Sequence, residues 1–502
     1  DTPTPASYSY DEYDRMASLA TYRGGSGWGG SSWPASPGTA DTTTWLYEEA
    51  SGLLTNKVYA DDKGPSYTYT AEGKLATRTW ARGLVTTYSF DPQTGDMTNI
   101  AYSATNTPAV SFTYNRLGQP ATVTDGTGTR AFTYNDALQL AAETNVMGLI
   151  TRQYDSLGRS SGFYVGPDLA SAPYSVAYGY SDVGRFSSVS SSVQSVTSVV
   201  QYAYLANSDL ISQMTNDQGP MTSRSYEPNR NLITQVKNQV GATTISQYDY
   251  ANDALGRRTS VKNSGTAFED LNAFNLYGYN DRSEVTSGKR YFYPADGGIG
   301  ADISQTNNPA GGQAFTYAYD NIGNRSSTTE GTQNRAFAYT ANQLNQYSQR
   351  TVPGYIEVLG SANTGATVTV NSNATTRQGA YYWKELAVSN ASSAAYPAVN
   401  VLGVRKNAGP GGTDVVTTVT GSMFVAKTPE LFGYDWDGNM TNVGRFSYSW
   451  DGENRLTGAT NAGTVAGYSY DFMSRRYQKG VGDATNTFLW DGWLLAQEVS
   501  VS

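Results

Sequence analysis

A few groups of side chains in this sequence have types and spacings that could do chemistry. Asp435, Asp437 and Asn439 reproduce the D-x-D-x-N opening of a calcium loop. Such a loop needs glycine at its sixth position and glutamate at its twelfth. Counted from Asp435, those positions hold Met440 and Phe446, and Gly438 falls fourth. No metal site is expected there. Glu48 with Glu49, and Asp61 with Asp62, have the residue type of a glycosidase pair, which needs two carboxyls roughly 5–10 Å apart. A chain with 43 acids produces such neighbours by chance.

Aromatic residues give a second option, stacking on sugars. Tyr381, Tyr382 and Trp383 lie together, and Trp28 and Trp33 sit in the Gly/Ser/Pro loop of residues 23–38. Successive strand residues point to opposite faces, so at least one of the first trio is expected in a core. Trp28, Trp33, Tyr381 and Trp383 are the candidate glycan contacts. The same loop holds G-x-G-x-x-G at Gly25, Gly27 and Gly30. No strand-turn-helix surrounds it, so a dinucleotide site is not expected; the loop reads as a flap or seam.

The chain has neither histidine nor cysteine, which removes imidazole bases, thiol nucleophiles, disulfides and Cys/His zinc sites. No catalytic residue, cofactor or metal is expected, and the protein is not expected to be an enzyme. The net charge of −9 comes without a basic stripe, so no nucleic-acid partner is expected on electrostatic grounds. No apolar stretch reaches the ~20 residues of a membrane-spanning helix. The chain starts at Asp1, which suggests a removed leader or a piece of a longer protein.

What must position these residues is a repeat. With 39 Tyr, 52 Gly and 15% charged residues, the composition favours short strands and tight turns. An alternating stretch, a turn, a glycine, a polar residue and a second alternating stretch recur. Clear copies are YNRLGQ at Tyr114, YDSLGR at Tyr154, YSDVGR at Tyr180, YDNIGNR at Tyr319, YDWDGN at Tyr434, WDGENRL at Trp450 and YDFMSRR at Tyr470. Anchors from Tyr47 to Tyr226 are spaced by 20 to 26 residues, enough for two strands and two turns. One repeat is one hairpin. In it, Asp155 or Asp320 is expected to accept backbone amides two residues on, and Gly158 or Gly323 to take a positive φ. Arg159 or Asn324 restarts the strand. Alternate tyrosines such as Tyr317 and Tyr319 are expected to pack on one face of the sheet against neighbouring hairpins, each hydroxyl bonded to a neighbour. The full set assigned to the repeat motif is Tyr154, Asp155, Gly158, Arg159, Tyr319, Asp320, Gly323, Asn324, Tyr434, Asp435 and Gly438.

The recurring Y-D-x-x-G-R/N unit resembles the YD-repeat family of RHS proteins, insecticidal toxin-complex shells and teneurins, over nearly all of residues 8–350 and 430–498. The resemblance implies an all-β spiralling ribbon of tandem hairpins that forms a shell or tube, often around a toxic C-terminal segment. It divides the chain into YD-repeat shell at 1–351, a small inserted β domain at 352–427, and shell again at 428–502. RHS-like shells carry an Asp-Pro-containing self-cleavage region after the last repeat. Here the only Asp-Pro is Asp91-Pro92, so that region and the cargo are expected to lie outside this sequence. About 34 strands at ~4.8 Å make a ribbon ~160 Å long, too little wall to enclose a folded toxin alone.

Three readings follow. The chain is a secreted or cell-surface scaffold, the β-shell portion of a larger protein that carries a polypeptide cargo. Alternatively, it associates with itself, end to end or edge to edge, into an extracellular fibre or tube. The third reading is a glycan-binding adhesin. A surface loop is also expected near residues 286–312, where glycine, asparagine and proline gather.

Overall fold

A computed structural model describes residues 5–28, 32–193, 196–269, 271–293, 303–304, 306–331 and 333–501. Among them there is no α-helix; the chain is all β. Alternating Tyr, Thr and Val supply the strands, because β-branched and aromatic side chains fit a half-buried pleated surface. Consecutive strands pair antiparallel, and 36 of them belong to one long sheet.

The ladder skips one stretch of chain. Tyr347–Arg350 pairs directly with Glu430–Tyr434, Gln349 opposite Leu431 and Arg350 opposite Glu430. The strands between them form two small sheets. One joins Tyr355–Ser361, Tyr381–Ala387 and Thr376–Gln378; the other joins Asn373–Ala374, Thr367–Val370, Ala398–Arg405 and Val415–Ser422. Val352, Ile356, Val425 and Ala426 form their core, against Phe337 of the long sheet.

By compactness the chain divides into two units. One gathers residues 22–40 and 202–431; the other gathers 6–21, 41–201 and 432–502. Apolar cores are small in both, as in the cluster of Ile150, Phe163, Val165, Val176 and Leu489 in the second. Much of the cohesion therefore falls to backbone ladders and to polar contacts between repeats.

The repeat itself is a turn with a bulge. Asp155 Oδ1 accepts the amides of Leu157 and Arg159, each at 2.9 Å. The Gly158 amide donates to Asp155 O at 2.9 Å, and Gly158 has φ +79°. The register slips between Gln153 and Tyr154, and likewise at Tyr319 and Tyr434. Asp320 and Asp435 accept amides in the same pattern, and Gly323 and Gly438 have φ +92° and +85°.

Two contacts tie each turn to the next. The anchor tyrosine hydroxyl donates to a backbone carbonyl just past the preceding turn: Tyr154 to Leu140 O at 2.9 Å, Tyr180 to Ser160 O at 2.8 Å, Tyr319 to Val285 O at 2.8 Å. This hydroxyl bond to a neighbouring hairpin is what the anchor position recurrently makes. A phenol has the reach to carry a donor past its strand, and so does an indole: Trp450 and Trp490 donate to Met440 O and Arg476 O. The residue after the turn's positive-φ position, a glycine or, before Gln139, Leu138, does more than restart the strand. Gln119 donates to Leu138 O, Gln139 to Gly158 O and Arg257 to Asn280 O, each in the following turn. Arg159 instead places its guanidinium 4.1 Å from the Tyr180 ring.

Two sequence expectations are corrected. The stretch 286–312 is not one loop, because Val285–Phe292 and Pro309–Tyr319 are strands, with Gly288 opposite Phe315. Its glycines serve packing: a Cβ on Gly311 would lie 2.7–2.9 Å from the Trp383 ring, and on Gly312 2.8 Å from it. Residues 294–302 and 305 lie outside the described residues. The 23–38 loop is no bare flap: Ser26 bridges to Ser36, and the rings of Tyr22, Trp28 and Trp33 pack with centroids 5.0–5.7 Å apart. Gly30 lies outside the described residues.

Candidate functional site

The densest polar site is in the unit holding residues 41–201 and 432–502. It is built from ordinary repeat turns placed where water cannot reach. In the turn of residues 451–455, Asp451 accepts the amides of Glu453 and Arg455 and pairs with the Arg455 guanidinium at 2.7 Å. The next turn repeats this with Asp471, Met473 and Arg475. Chemically these match the exposed turn of Asp155 and Arg159. Yet Asp451, Asp471 and Arg475 are buried.

What buries them is the face of earlier hairpins. Trp80 donates its indole N–H to Gly452 O at 2.8 Å, and Arg82 donates to Asp451 O at 2.8 Å and to Asn454 at 2.6 Å. Arg78 pairs with Glu453 at 2.6 Å. The Gly452 amide donates to Thr107 Oγ1 at 2.6 Å, and the Phe472 amide to Asp125 at 2.7 Å.

Further along, charges alternate through one connected chain: Asp491, Arg152, Glu143, Arg130, Asp471, Arg475. Successive separations are 2.6, 3.5, 2.9, 3.1 and 2.7 Å. Three carboxylates face three guanidiniums, so the group is neutral as a whole. Neutrality matters, because an isolated buried charge costs several kcal/mol in lost hydration. Every carboxylate has a guanidinium against it. The arrangement holds one part of the chain to another.

The remaining sequence candidates are placed as follows. The oxygens of the calcium-like triad are engaged: Asp435 binds its own turn and the Asn439 amide group, and Asp437 binds Arg82. Among the described residues no cluster of three acidic or metal-ligating side chains could hold an ion. Tyr381 and Trp383 do not form an exposed sugar platform. Tyr381 is buried and donates to Gly311 O, while Trp383 lies over Gly311 and Gly312 and donates to Glu357. Burial pushes the Glu357 carboxyl up, against that indole bond. Of the loop tryptophans, Trp33 is 53% exposed.

Sequence reasoning missed Arg78, Arg82, Arg130, Glu143 and Arg152. A usable signal existed: three of these arginines, Arg78, Arg130 and Arg152, sit at strand positions of a chain with only 15% charged residues.

The exposed turns carry a pH dependence. At Asp155 and Asp253 burial pushes the carboxyl up, but amide and guanidinium bonds from Arg159 and Arg257 outweigh it, and both lie below the usual 3.8. The unfolded chain then binds more protons than the native one around and below that value, so stability rises with pH there. Melting temperature should hold steady down to the ordinary aspartate range and fall as pH drops through the depressed values. A melt unchanged well below pH 3.8 would show that these bonds add no net stability.

Comparison with known proteins places the fold. The solved structure of TcdB2-TccC3 without its hypervariable C-terminal region matches 99% of this chain and 28% of its own, with a TM-score of 0.50 and 12% identity. The chain therefore shares the all-β fold of that structure, one long antiparallel sheet of hairpins. At that identity the likeness speaks for the fold alone. TcdB2-TccC3-TEV covers 93% of this chain and 28% of its own, at TM-score 0.47 and 11% identity. Among curated sequences, the tRNA nuclease WapA of Bacillus subtilis strain 168 is 39% identical over 66 residues, 12% of this chain and 3% of WapA. The tRNA3(Ser)-specific nuclease WapA of Bacillus spizizenii matches to the same extent. The chain thus spans a small part of each relative's length. No family model matches. Among the described residues no helix is long and apolar enough to cross a membrane.

Proposed function

We propose that this chain is a non-catalytic scaffold, the β-ribbon portion of a longer secreted RHS/YD-repeat protein that encloses or carries a polypeptide cargo. The observation that carries this reading is the buried seam. Turns at Asp451 and Asp471 are sealed against hairpins more than 300 residues earlier, so the ladder returns onto itself. A ribbon closed this way makes wall. The seam's side chains are consumed in mutual neutralisation, which supports a structural role over a catalytic one. The partner is cargo outside this sequence, and nuclease activity belongs to the far longer WapA proteins rather than to this segment.

Electron microscopy of the purified chain tests the reading. Discrete curved walls of one size are expected; long regular filaments would overturn it in favour of a fibre subunit. Purified tRNA incubated with the chain should stay intact, and its cleavage would overturn the non-catalytic assignment.

A further inference from the structure

The four-stranded sheet of the insert ends on Val415–Ser422. That strand pairs along its whole length with Ala398–Arg405, from Ala398 opposite Ser422 to Arg405 opposite Val415. Among the described residues it has no strand on its other side. All eight of its residues are exposed, Val416 at 57% and Val419 at 62%. Both faces and one edge of a β-branched strand therefore stand in water.

Natural edge strands are blunted by lysine, proline, bulges or short length. V-V-T-T-V-T-G-S has no charge and no proline, and its register with the neighbouring strand is unbroken. The backbone N–H and C=O groups along its free edge are a ready template for another strand.

We propose that this strand pairs antiparallel with the same strand of a second copy, about a two-fold axis, turning two four-stranded sheets into one of eight. A strand meeting itself in this way is self-complementary by symmetry. An axis between Thr418 and Val419 sets Val415 opposite Ser422, Val416 opposite Gly421 and Thr417 opposite Thr420. A cross-strand threonine pair is chemistry this chain already uses: the hydroxyls of Thr68 and Thr77, Thr113 and Thr122, and Thr124 and Thr129 bond at 2.6, 2.6 and 2.9 Å.

Electrostatics select the occupant. Two copies of a chain of net charge −9 repel across most of their surfaces. Here neither strand carries charge, so the copies meet where repulsion is least. A charged peptide would find no counter-ion along the strand. The interface is independent of the ribbon's role as wall, since it uses only the insert.

Sedimentation velocity of the intact chain over roughly 1 to 100 µM, where a small interface shifts its equilibrium, tests the proposal. The wild type should move from monomer to dimer. Val419→Lys and Val416→Lys should each stay monomeric with the wild-type melting temperature, because neither side chain is packed. A wild type monomeric throughout, or a lysine variant that dimerises like the wild type, would overturn it. If one variant melts early, the other decides.

Discussion

Arg130→Ala should destabilise the chain by about 3–5 kcal/mol, the loss seen when one member of a buried ion pair is removed. Arg130 is 4% exposed and spans Glu143 and Asp471, themselves 4% and 1% exposed. Without it, neither carboxylate can recover water. Arg152 and Arg475 still neutralise part of that charge, but the chain of alternating signs is cut at its middle. The contrast is Arg159→Ala, which breaks the same Asp–Arg chemistry at 2.7 Å in a turn with both side chains partly in water. Exposed pairs contribute only ~0–1 kcal/mol. Urea unfolding of both variants measures the difference, and hydrogen exchange at residues 128–154 and 464–491 should locate the Arg130 effect. Equal losses would mean that burial of the seam adds nothing, and the case for a sealed wall would weaken with it.

The contrast also marks what is legible in a sequence. The turn around Asp155 and Gly158 is encoded within five residues, so the amide bonds, the positive φ and the hairpin period can all be inferred without coordinates. Arg130 and Asp471 are 341 residues apart, and nothing local distinguishes Asp471 from Asp155. Which turns are buried depends on where the ribbon returns, and that is a sum of small twists along many hairpins. The insert shows the same boundary. Gly311 and Gly312 read locally as loop residues, yet they exist to admit the Trp383 ring. Of Tyr381–Trp383, at least one could be expected in a core, but that it is Tyr381 is not legible there. The anchor tyrosines are an intermediate case. Their recurrence and a hydroxyl bond to a neighbour can be inferred, but which carbonyl accepts it is visible only once hairpins are set side by side.

Gly162→Ala should be among the most damaging single-methyl additions in the chain, at about 3 kcal/mol or more for strained backbone and lost packing together. Gly162 is mid-strand, not in a turn, with φ +142°. A Cβ there would collide with Val176 O in the next strand and lie 3.0 Å from Ala177 Cα. Backbone cannot yield as a side-chain tip can, so the strands Ser160–Val165 and Tyr174–Tyr180 would have to part. Phe163 and Val176 are in the buried cluster with Ile150, and parting would open it. Gly158→Ala is the matched control. Its φ of +79° is a turn conformation, and the nearest atom to its Cβ is the Gln139 amide nitrogen at 3.4 Å, the end of a flexible side chain. That change should cost about 1 kcal/mol. Thermal melts of the two variants rank the effects. If Gly158→Ala proves as damaging as Gly162→Ala, the ribbon is held by its turns; if Gly162→Ala is far worse, it is held by how closely neighbouring strands approach.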